Sequence, residues 1–275
     1  MKTASIKKHE MLAAKAFSKQ SSVFDMEYAG NKIVAYKRAR VRAVLEKYLL
    51  ENSRILELNS GTGDDAIWLA QQGHSVHATD ISEGMQNMLK QKVASAGLSS
   101  KITTEICSFN DLETLADKQL YDCIFSNFAG LNCAENLSQV LAYFSKLLKP
   151  NGIATLVIMP KFSLWELLLA FKGEFTLAFR RLTSTKKHGA QAHIMGQYFR
   201  CWYYNPSYII NCLKKDFVLL QLEGMCTIVP PSFIENFPIK FPKCFYFFVK
   251  MEHRLKTFWP FTIIGDYYII TLKKQ

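Results

Sequence analysis

The stretch RILELNSGTGDDAIWLAQQG, Arg54–Gly73, reads as a short apolar strand, a turn holding Gly61 and Gly63, and then a helix. A surface turn needs one glycine. A backbone that lies against a ligand needs more, because no Cβ then intrudes. The helix opens near Asp64, so its N-terminus faces whatever the turn holds. Glu57 stands just before the turn. Asp80 ends the next strand, 23 residues after Glu57, where a carboxylate can accept two hydrogen bonds from ribose hydroxyls. Asp64 and Asp65 suit the positive end of a helix but would repel a diphosphate. The pattern points away from a dinucleotide and toward a nucleoside ligand with a cationic centre and no phosphate. No GKS or GKT follows the turn, which removes a phosphate loop.

Outward from this turn, strands and helices alternate. Strands are expected at Ile55–Leu58, Ser75–Thr79, Ile102–Ile106, Tyr121–Ser126 and Ile153–Ile158. Helices are expected at Asp64–Gln72, Glu83–Ala96 and Asn136–Leu148, with a KPNG turn at Lys149–Gly152. Such alternation builds a parallel sheet covered on both faces. Upstream, residues 1–22 read as a loose arm or helix, and Val41, Val44, Leu45, Tyr48 and Leu49 recur at helical spacing. After Pro160 the alternation stops. SLWELLLAFKGEFTLAFRRLTS is apolar and amphipathic, TKKHGAQAHIMG reads as a polar loop, and QYFRCWY has the composition of a strand. A helix at Asn205–Lys214 is capped by Asn205 with Pro206 at its first position. Asp216–Leu222 reads as strand six, and the terminal DYYIITLKK as a strand that returns to the main sheet.

The chain has 275 residues, 49% of them apolar, enough for one large domain with an insertion and a sizeable core. Residues 1–160 hold 18 basic and 16 acidic side chains, a net +2, while residues 161–275 hold 16 and 7, a net +9. The second half is either a plain solvated surface or one that faces an anionic acceptor, a membrane or a nucleic acid. Seven cysteines form no CxxC pair and no metal-like cluster, which reads as reduced thiols in a cytoplasmic protein. No signal peptide is visible, and no apolar run reaches the ~18 residues that span a bilayer.

ELNSGTG, Glu57–Gly63, resembles the first motif of class I S-adenosylmethionine-dependent methyltransferases. HSVHATDIS, His74–Ser82, resembles their second-strand motif, and MQNMLKQK, Met85–Lys92, the helix after it. CSFNDL, Cys107–Leu112, is similar to the adenine-flanking segment. YDCIFSNFAGLN, Tyr121–Asn132, is similar to the fourth-strand motif, and LLKPNG, Leu147–Gly152, to the turn before strand five. GDYYIITLKK, Gly265–Lys274, resembles the last strand. The motifs cover about residues 50–160 in order and are most similar to the small-molecule, type 11/25-like branch.

The resemblance implies an α/β fold: a Rossmann-like seven-stranded, mostly parallel sheet with helices on both faces, plus an inserted cover region after strand five. It implies a helical lid at 1–50, a cofactor-binding core at 51–160, a cover and acceptor-binding insertion with strand six at 161–262, and the last core strand at 263–275. The implied cofactor is S-adenosyl-L-methionine, the product S-adenosyl-L-homocysteine, and no metal is expected. By analogy Asp80 holds the ribose, Ser108 and Phe109 flank the adenine, and Asn127 lies beside the methionine part. Glu57, Asn59, Gly61, Gly63, Ile81 and Met85 complete the core set, with Asn59 standing where the family usually has glycine. Asp122, at the base of strand four, reads as a structural turn residue. From the lid, Tyr28, Tyr36 and Arg40 would close over the cofactor, one arginine meeting its carboxylate. The alternative is that Lys37, Arg38, Arg40 and Arg42 are only the solvated face of a helix.

A sulfonium makes its methyl carbon electrophilic, so an enzyme of this class aligns the acceptor in line and excludes water. The cover must come from residues 160–205 and 229–262, both rich in Phe, Tyr, Trp and Met. That composition fits a small, apolar acceptor such as a quinone, a phenol or a lipid, and an acidic group on it would suit the basic half. His193, Tyr198 and His253 are the candidate bases. An NPPY-like tetrad after strand four is replaced by SNFA, Ser126–Ala129, so nucleic acid is not the expected partner. RNA- or protein-directed transfer is one alternative. A non-catalytic cofactor-binding protein lying on a membrane through Phe162–Arg181 is the other, and peripheral membrane contact stays open in either case.

Overall fold

The structure, a computed structural model, describes residues 2–185 and 188–275; residues 186 and 187 of the expected polar loop lie outside it. Two helices come first, α1 (Lys2–Ala29) and α2 (Lys32–Tyr48). The core follows as β1 (Arg54–Leu58), α3 (Asp64–Gln71), β2 (Ser75–Asp80), α4 (Glu83–Ser95), β3 (Ile102–Ile106) and β4 (Tyr121–Ser126). Then come α5 (Leu137–Ala142), α6 (Phe144–Leu147) and β5 (Leu148–Ile158). The insertion carries α7 (Leu164–Leu168), α8 (Phe175–Thr183) and a hairpin of β6 (Ala190–Ile194) and β7 (Gln197–Cys201). The chain ends with α9 (Pro206–Leu213), β8 (Phe217–Met225), α10 (Phe237–Lys240), α11 (Pro242–Leu255) and β9 (Tyr267–Lys274).

The main sheet has seven strands in the order β3-β2-β1-β4-β5-β9-β8. The first five are parallel, and β9 runs antiparallel between β5 and β8. This is the Rossmann-like sheet implied by the motifs. Chain order reverses between β1 and β4, so a crevice opens beyond their carboxyl ends. Alternation along β1 sends Leu56 and Leu58 to one face and Ile55 to the other. The first face is covered by α5, α6 and α9 through Leu137, Leu141, Phe144, Ile209 and Leu213. The second is covered by α2, α3, α4 and α11 through Ile33, Val41, Leu45, Leu69, Leu89 and Phe245. Burial of these side chains on both faces explains why the parallel strands read as near-continuous apolar runs. Asp122 is structural: it accepts the Arg54 backbone N–H at 2.8 Å and the Lys149 ammonium at 2.9 Å, at the base of β4.

One open alternative is decided by the structure, and two segments differ from the sequence-based expectation. Of the two readings of the N-terminal segment, arm or helix, the described residues take the helical one: α1 is one long helix, which buries Ala13 and Ala16 against Phe199 and Cys201 of β7. The end of the expected polar loop is strand β6. Ala190, Ala192 and Ile194 alternate inward, and Met195 and Gly196, both at positive φ, make the two-residue turn that a tight hairpin requires. Residues 229–262 were expected to cover the acceptor, but α11 packs against α2, with the Phe245 and Tyr36 rings 6.4 Å apart. No helix among the described residues is long and apolar enough to cross a membrane.

Candidate active site

Three alternate residues in left-handed backbone shape the β1–α3 turn: Asn59 at φ 49°, Gly61 at φ 57° and Gly63 at φ 85°. Gly63 is needed for packing as well as for φ, since a Cβ there would sit 1.9 Å from Leu89 Cδ1. A Cβ on Gly61 would meet nothing within 4 Å, because that side of the turn faces the cavity. Asn59 pays for its strained φ with side-chain bonds: its Nδ2 donates to the Asn127 carbonyl at 2.9 Å, and its Oδ1 accepts from Ser126 Oγ at 2.6 Å. It therefore ties β1 to β4 across the crevice.

The acids follow. Asp80 accepts the Gly61 N–H at 3.0 Å on one oxygen and the Ser82 N–H at 2.8 Å on the other, so it fixes the turn and the start of α4 together. Burial raises its pKa, opposed by these backbone N–H groups. Asp64 and Asp65 are not left as bare acids. Arg38 lies 3.0 Å from Asp64 and 3.6 Å from Asp65, Arg42 donates to Asp65 at 3.0 Å, and Lys92 pairs with Asp64. Asp65 also accepts from Asn127 Nδ2 at 2.7 Å. The acids thus organise the cations of α2 about the mouth of the helix.

Glu57 is the exception. Its side chain is buried at the cavity wall, and Oε2 has no hydrogen-bond partner. Burial first, then the neighbouring Asp65 charge, pushes its pKa well above the ordinary glutamate range. An unpartnered buried carboxyl of this kind is completed by a cationic ligand group. A linkage consequence follows. The folded carboxyl holds its proton at pH values where an unfolded glutamate has lost it, so folding binds a proton, and the ligand-free protein loses stability as pH rises above the ordinary glutamate range. Glu57→Gln is expected to flatten this fall and to weaken binding of an ammonium-bearing cofactor by about tenfold or more. Thermal unfolding from acid to neutral pH, paired with calorimetric titration, checks both; unchanged affinity would remove Glu57 from the site.

A single cavity of about 700 Å³ joins the turn to the cover. Its wall includes Tyr28, Glu57, Asn59, Gly61, Asp80, Ile81, Met85, Ser108, Phe109 and Asn127 of the expected cofactor set. Gly63 sits behind the wall and acts through packing. Arg40 does not reach the cavity: its guanidinium is buried between Glu223 at 2.8 Å and Glu252 at 3.2 Å, and donates to the Tyr36 hydroxyl and the Gly224 carbonyl. The cavity arginine of α2 is instead Arg38, and neither Lys37 nor Arg40 is a solvated helix face. Of the candidate bases, His193 lines the cavity. Tyr198, its partner across the hairpin at 4.5 Å between rings, is exposed and outside, and His253 lies on the exposed side of α11.

The helical lid and the 160–205 cover were expected as segments, but of their lining residues the sequence reading named only Tyr28 and His193 as site residues. Ala13, Phe17, Gln20, Phe24 and Tyr28 of α1 line the cavity at spacings of three and four, a helical stripe that was present in the sequence. Ser18 Oγ bonds Ser82 Oγ at 2.8 Å and accepts the Gly84 N–H at 3.2 Å, and Thr62 donates to Asp25 at 2.6 Å, so α1 is latched to the turn and to α4. Beyond it lie Thr176, Leu177 and Arg180 of α8, with Phe199 and Tyr203. From residues 229–262 only Ser232 is in the wall; it accepts from the buried Lys37 ammonium at 3.0 Å. Arg181 fastens the cover, bonding Glu166 at 2.6 Å and Asp266 at 2.8 Å.

Residues 55–152 match the family model described as a methyltransferase domain. They are a class I methyltransferase domain. The chain is 31% identical over 163 residues to the biotin biosynthesis bifunctional protein BioHC of Cellvibrio japonicus, which covers 58% of this chain and 29% of that protein. It is 31% identical over 110 residues to the ubiquinone/menaquinone biosynthesis C-methyltransferase UbiE of Geobacter sulfurreducens, covering 39% of this chain and 42% of that one. The chain thus spans less than half the length of these curated relatives. Its fold is similar to the solved 1,6-didemethyltoxoflavin-N1-methyltransferase of Burkholderia thailandensis, with a TM-score of 0.57 at 14% identity, over 98% of this chain and 90% of that chain.

The methyltransferase domain's cofactor is S-adenosylmethionine, and the residues present fit it. Asp80, with a spare lone pair on each oxygen, suits ribose hydroxyls. The unpartnered Glu57 oxygen suits the amino group, and Arg38 the carboxylate. Gly61 leaves the wall clear of a Cβ beside them.

Proposed function

We propose that this protein transfers a methyl group from S-adenosylmethionine to a small apolar or aromatic acceptor held between the glycine turn and the cover. The observation that carries this reading is the single cavity lined at once by Gly61 and Asp80 and by Leu177, Phe199 and Tyr203. Its volume of about 700 Å³ falls within the range of about 300–1,000 Å³ that small ligands occupy. The relative from Geobacter sulfurreducens is named for a quinone C-methyltransferase, which supports an acceptor of that class.

When bound, the cofactor supplies an electrophilic methyl on a sulfonium. The chain's own residues then position and desolvate. Asp80 and Glu57 fix the nucleoside and amino ends, α1 roofs the cavity, and the aromatic wall excludes water from the transfer. At the cover end, Lys37 is buried beneath the Phe128 and Tyr267 rings, 5.6 and 4.6 Å from their centroids, with Asp266 3.8 Å away. An ammonium so placed has donors left for an oxygen on the acceptor, which favours an acceptor with an acidic or enolic group. A roofed cavity favours such a molecule over an RNA or protein chain.

His193 is the one histidine among the described residues of the cavity wall, and it takes the acceptor's proton in this reading. His193→Ala should lower kcat by at least about tenfold while leaving S-adenosylhomocysteine affinity unchanged, the loss being limited because bulk water can replace an exposed base in part. An unaltered kcat would remove that role. The function itself is tested by incubating the protein with methyl-labelled S-adenosylmethionine and a panel of naphthoquinols, phenols and fatty acids. Label appearing in none of them, with the cofactor bound, would reject the acceptor class.

A further inference from the structure

The face that turned away from the cavity has its own chemistry. On α11, Phe245, Phe248, Val249 and Glu252 point inward, while Lys243, Tyr246, Phe247, Lys250 and Arg254 point to solvent. The outward aromatics are not marginally exposed: Tyr246 shows 65% of its surface and Phe247 58%. The ends of the helix extend the pattern. Ile239 and Phe241 precede it at 64% and 54%, and Phe258 and Trp259 follow it at 61% and 79%. Large apolar side chains grouped on one face, rather than scattered singly, mark an interaction surface.

Charge says what covers them. From Asn236 to Gly265 the sole acid is Glu252. It is buried, its two oxygens taken by the backbone N–H groups of Cys226, Thr227, Ile228 and Val229. Lys240, Lys243, Lys250 and Arg254 are exposed, and none of them makes an ion pair among the described residues. A second copy of the chain would set these cations against their like, which opposes self-association along this face. Aromatic and aliphatic side chains level with a row of lysines and arginines match the interface of an anionic bilayer. There the rings sit among the headgroups, and the long cationic stems lie along the apolar surface with their charges outward.

We propose that α10, α11 and the Phe258–Trp259 turn dock this protein on an anionic lipid surface. The docking is peripheral, since α11 is amphipathic and its inward face is used by the core. The cover lies next to the docked face: the Leu164 N–H at the start of α7 bonds the Ile264 carbonyl at 2.9 Å, and α7 leads to Phe171, which is 88% exposed. A lipid-borne acceptor would then meet the cover at the membrane, although the docking itself stands on the α11 face and needs no methyl transfer.

The test is flotation of the full chain with vesicles of phosphatidylcholine alone and of phosphatidylcholine with phosphatidylglycerol. Wild type is expected to float with the anionic vesicles and to be released by salt. Each cation near such a surface is worth about fivefold in binding, so Lys243→Glu with Lys250→Glu should lower the partition by about 25-fold or more. Phe247→Ser with Trp259→Ser should lower it on anionic vesicles without changing the net charge. Lys90→Glu on α4, outside the face, should change it little, and all variants should keep the wild-type thermal transition because the altered side chains are exposed. Wild type that stays in the bottom fraction with both vesicles overturns the proposal. So does a loss of about fivefold or more in the Lys90 variant, the share that one reversal takes if only net charge is sensed, or wild type that ignores vesicles while shifting an RNA.

Discussion

Asp80→Ala should bind S-adenosylhomocysteine about 10²–10⁴ times more weakly than wild type, because in the proposed binding mode it removes two hydrogen bonds from ribose hydroxyls to a buried carboxylate, each worth about 1.5–3 kcal/mol. The geometry makes this acid hard to replace. Its oxygens already accept Gly61 N–H and Ser82 N–H, so the lone pairs left for a ligand are held in place by the turn itself. The fold should tolerate the change better than the site does. Burial works against the Asp80 charge, raising its pKa, and removing the carboxyl relieves that burden while freeing two N–H groups. Asp80→Asn separates the effects: it keeps one acceptor oxygen and should fall between wild type and the alanine variant. Calorimetry gives the affinities and thermal unfolding confirms the fold. An alanine variant with wild-type affinity would mean that the nucleoside is held elsewhere, and the assignment of the crevice would fail with it.

The same contrast between local and distant constraints explains what could be read from the chain. The turn, Asp80 and the strand ends were legible because each is a local device: glycines where φ is positive, an acid at a strand end, apolar runs of strand length between helices. The Ser108–Phe109 segment and Asn127 fell into the cavity wall for the same reason, through motifs with fixed offsets from those strands. Arg40 was misplaced because its role is set by Glu223 and Glu252, 183 and 212 residues away in sequence. Nothing within α2 distinguishes it from Arg38, two residues earlier and aimed at the cavity. The second cover segment failed similarly. Aromatic composition says that a surface will be covered or exposed, but only the packing of Phe245 against Tyr36 decides that α11 backs the sheet. Strand β7 matched the strand composition of QYFRCWY, but its partner β6 was hidden by polar residues, since only alternate positions of a two-stranded ribbon need be apolar.

Arg40→Ala should destabilise the protein by about 3–5 kcal/mol, the usual cost of breaking a buried ion pair from one side. Arg40 lies between two carboxylates, both essentially buried: Glu223 at 2.8 Å and Glu252 at 3.2 Å. Lys256 also pairs with Glu223, at 2.6 Å, and would keep that acid partly compensated. Glu252 would retain its backbone donors and the Tyr36 hydroxyl at 2.8 Å but lose the one cation it pairs with among the described residues. Because Glu252 pins residues 226–229 to α11, the loss should spread along the end of β8 and loosen α2 from α11. Cofactor affinity per folded molecule should remain near wild type, since Arg40 is absent from the cavity wall. Denaturant unfolding measures the first quantity and titration with S-adenosylhomocysteine the second. A stable Arg40→Ala protein that no longer binds the cofactor would reverse the assignment and return this arginine to the site, in place of Arg38. Arg40→Lys sharpens the comparison: one ammonium cannot span both carboxylates as the guanidinium does, so it should recover only part of the stability.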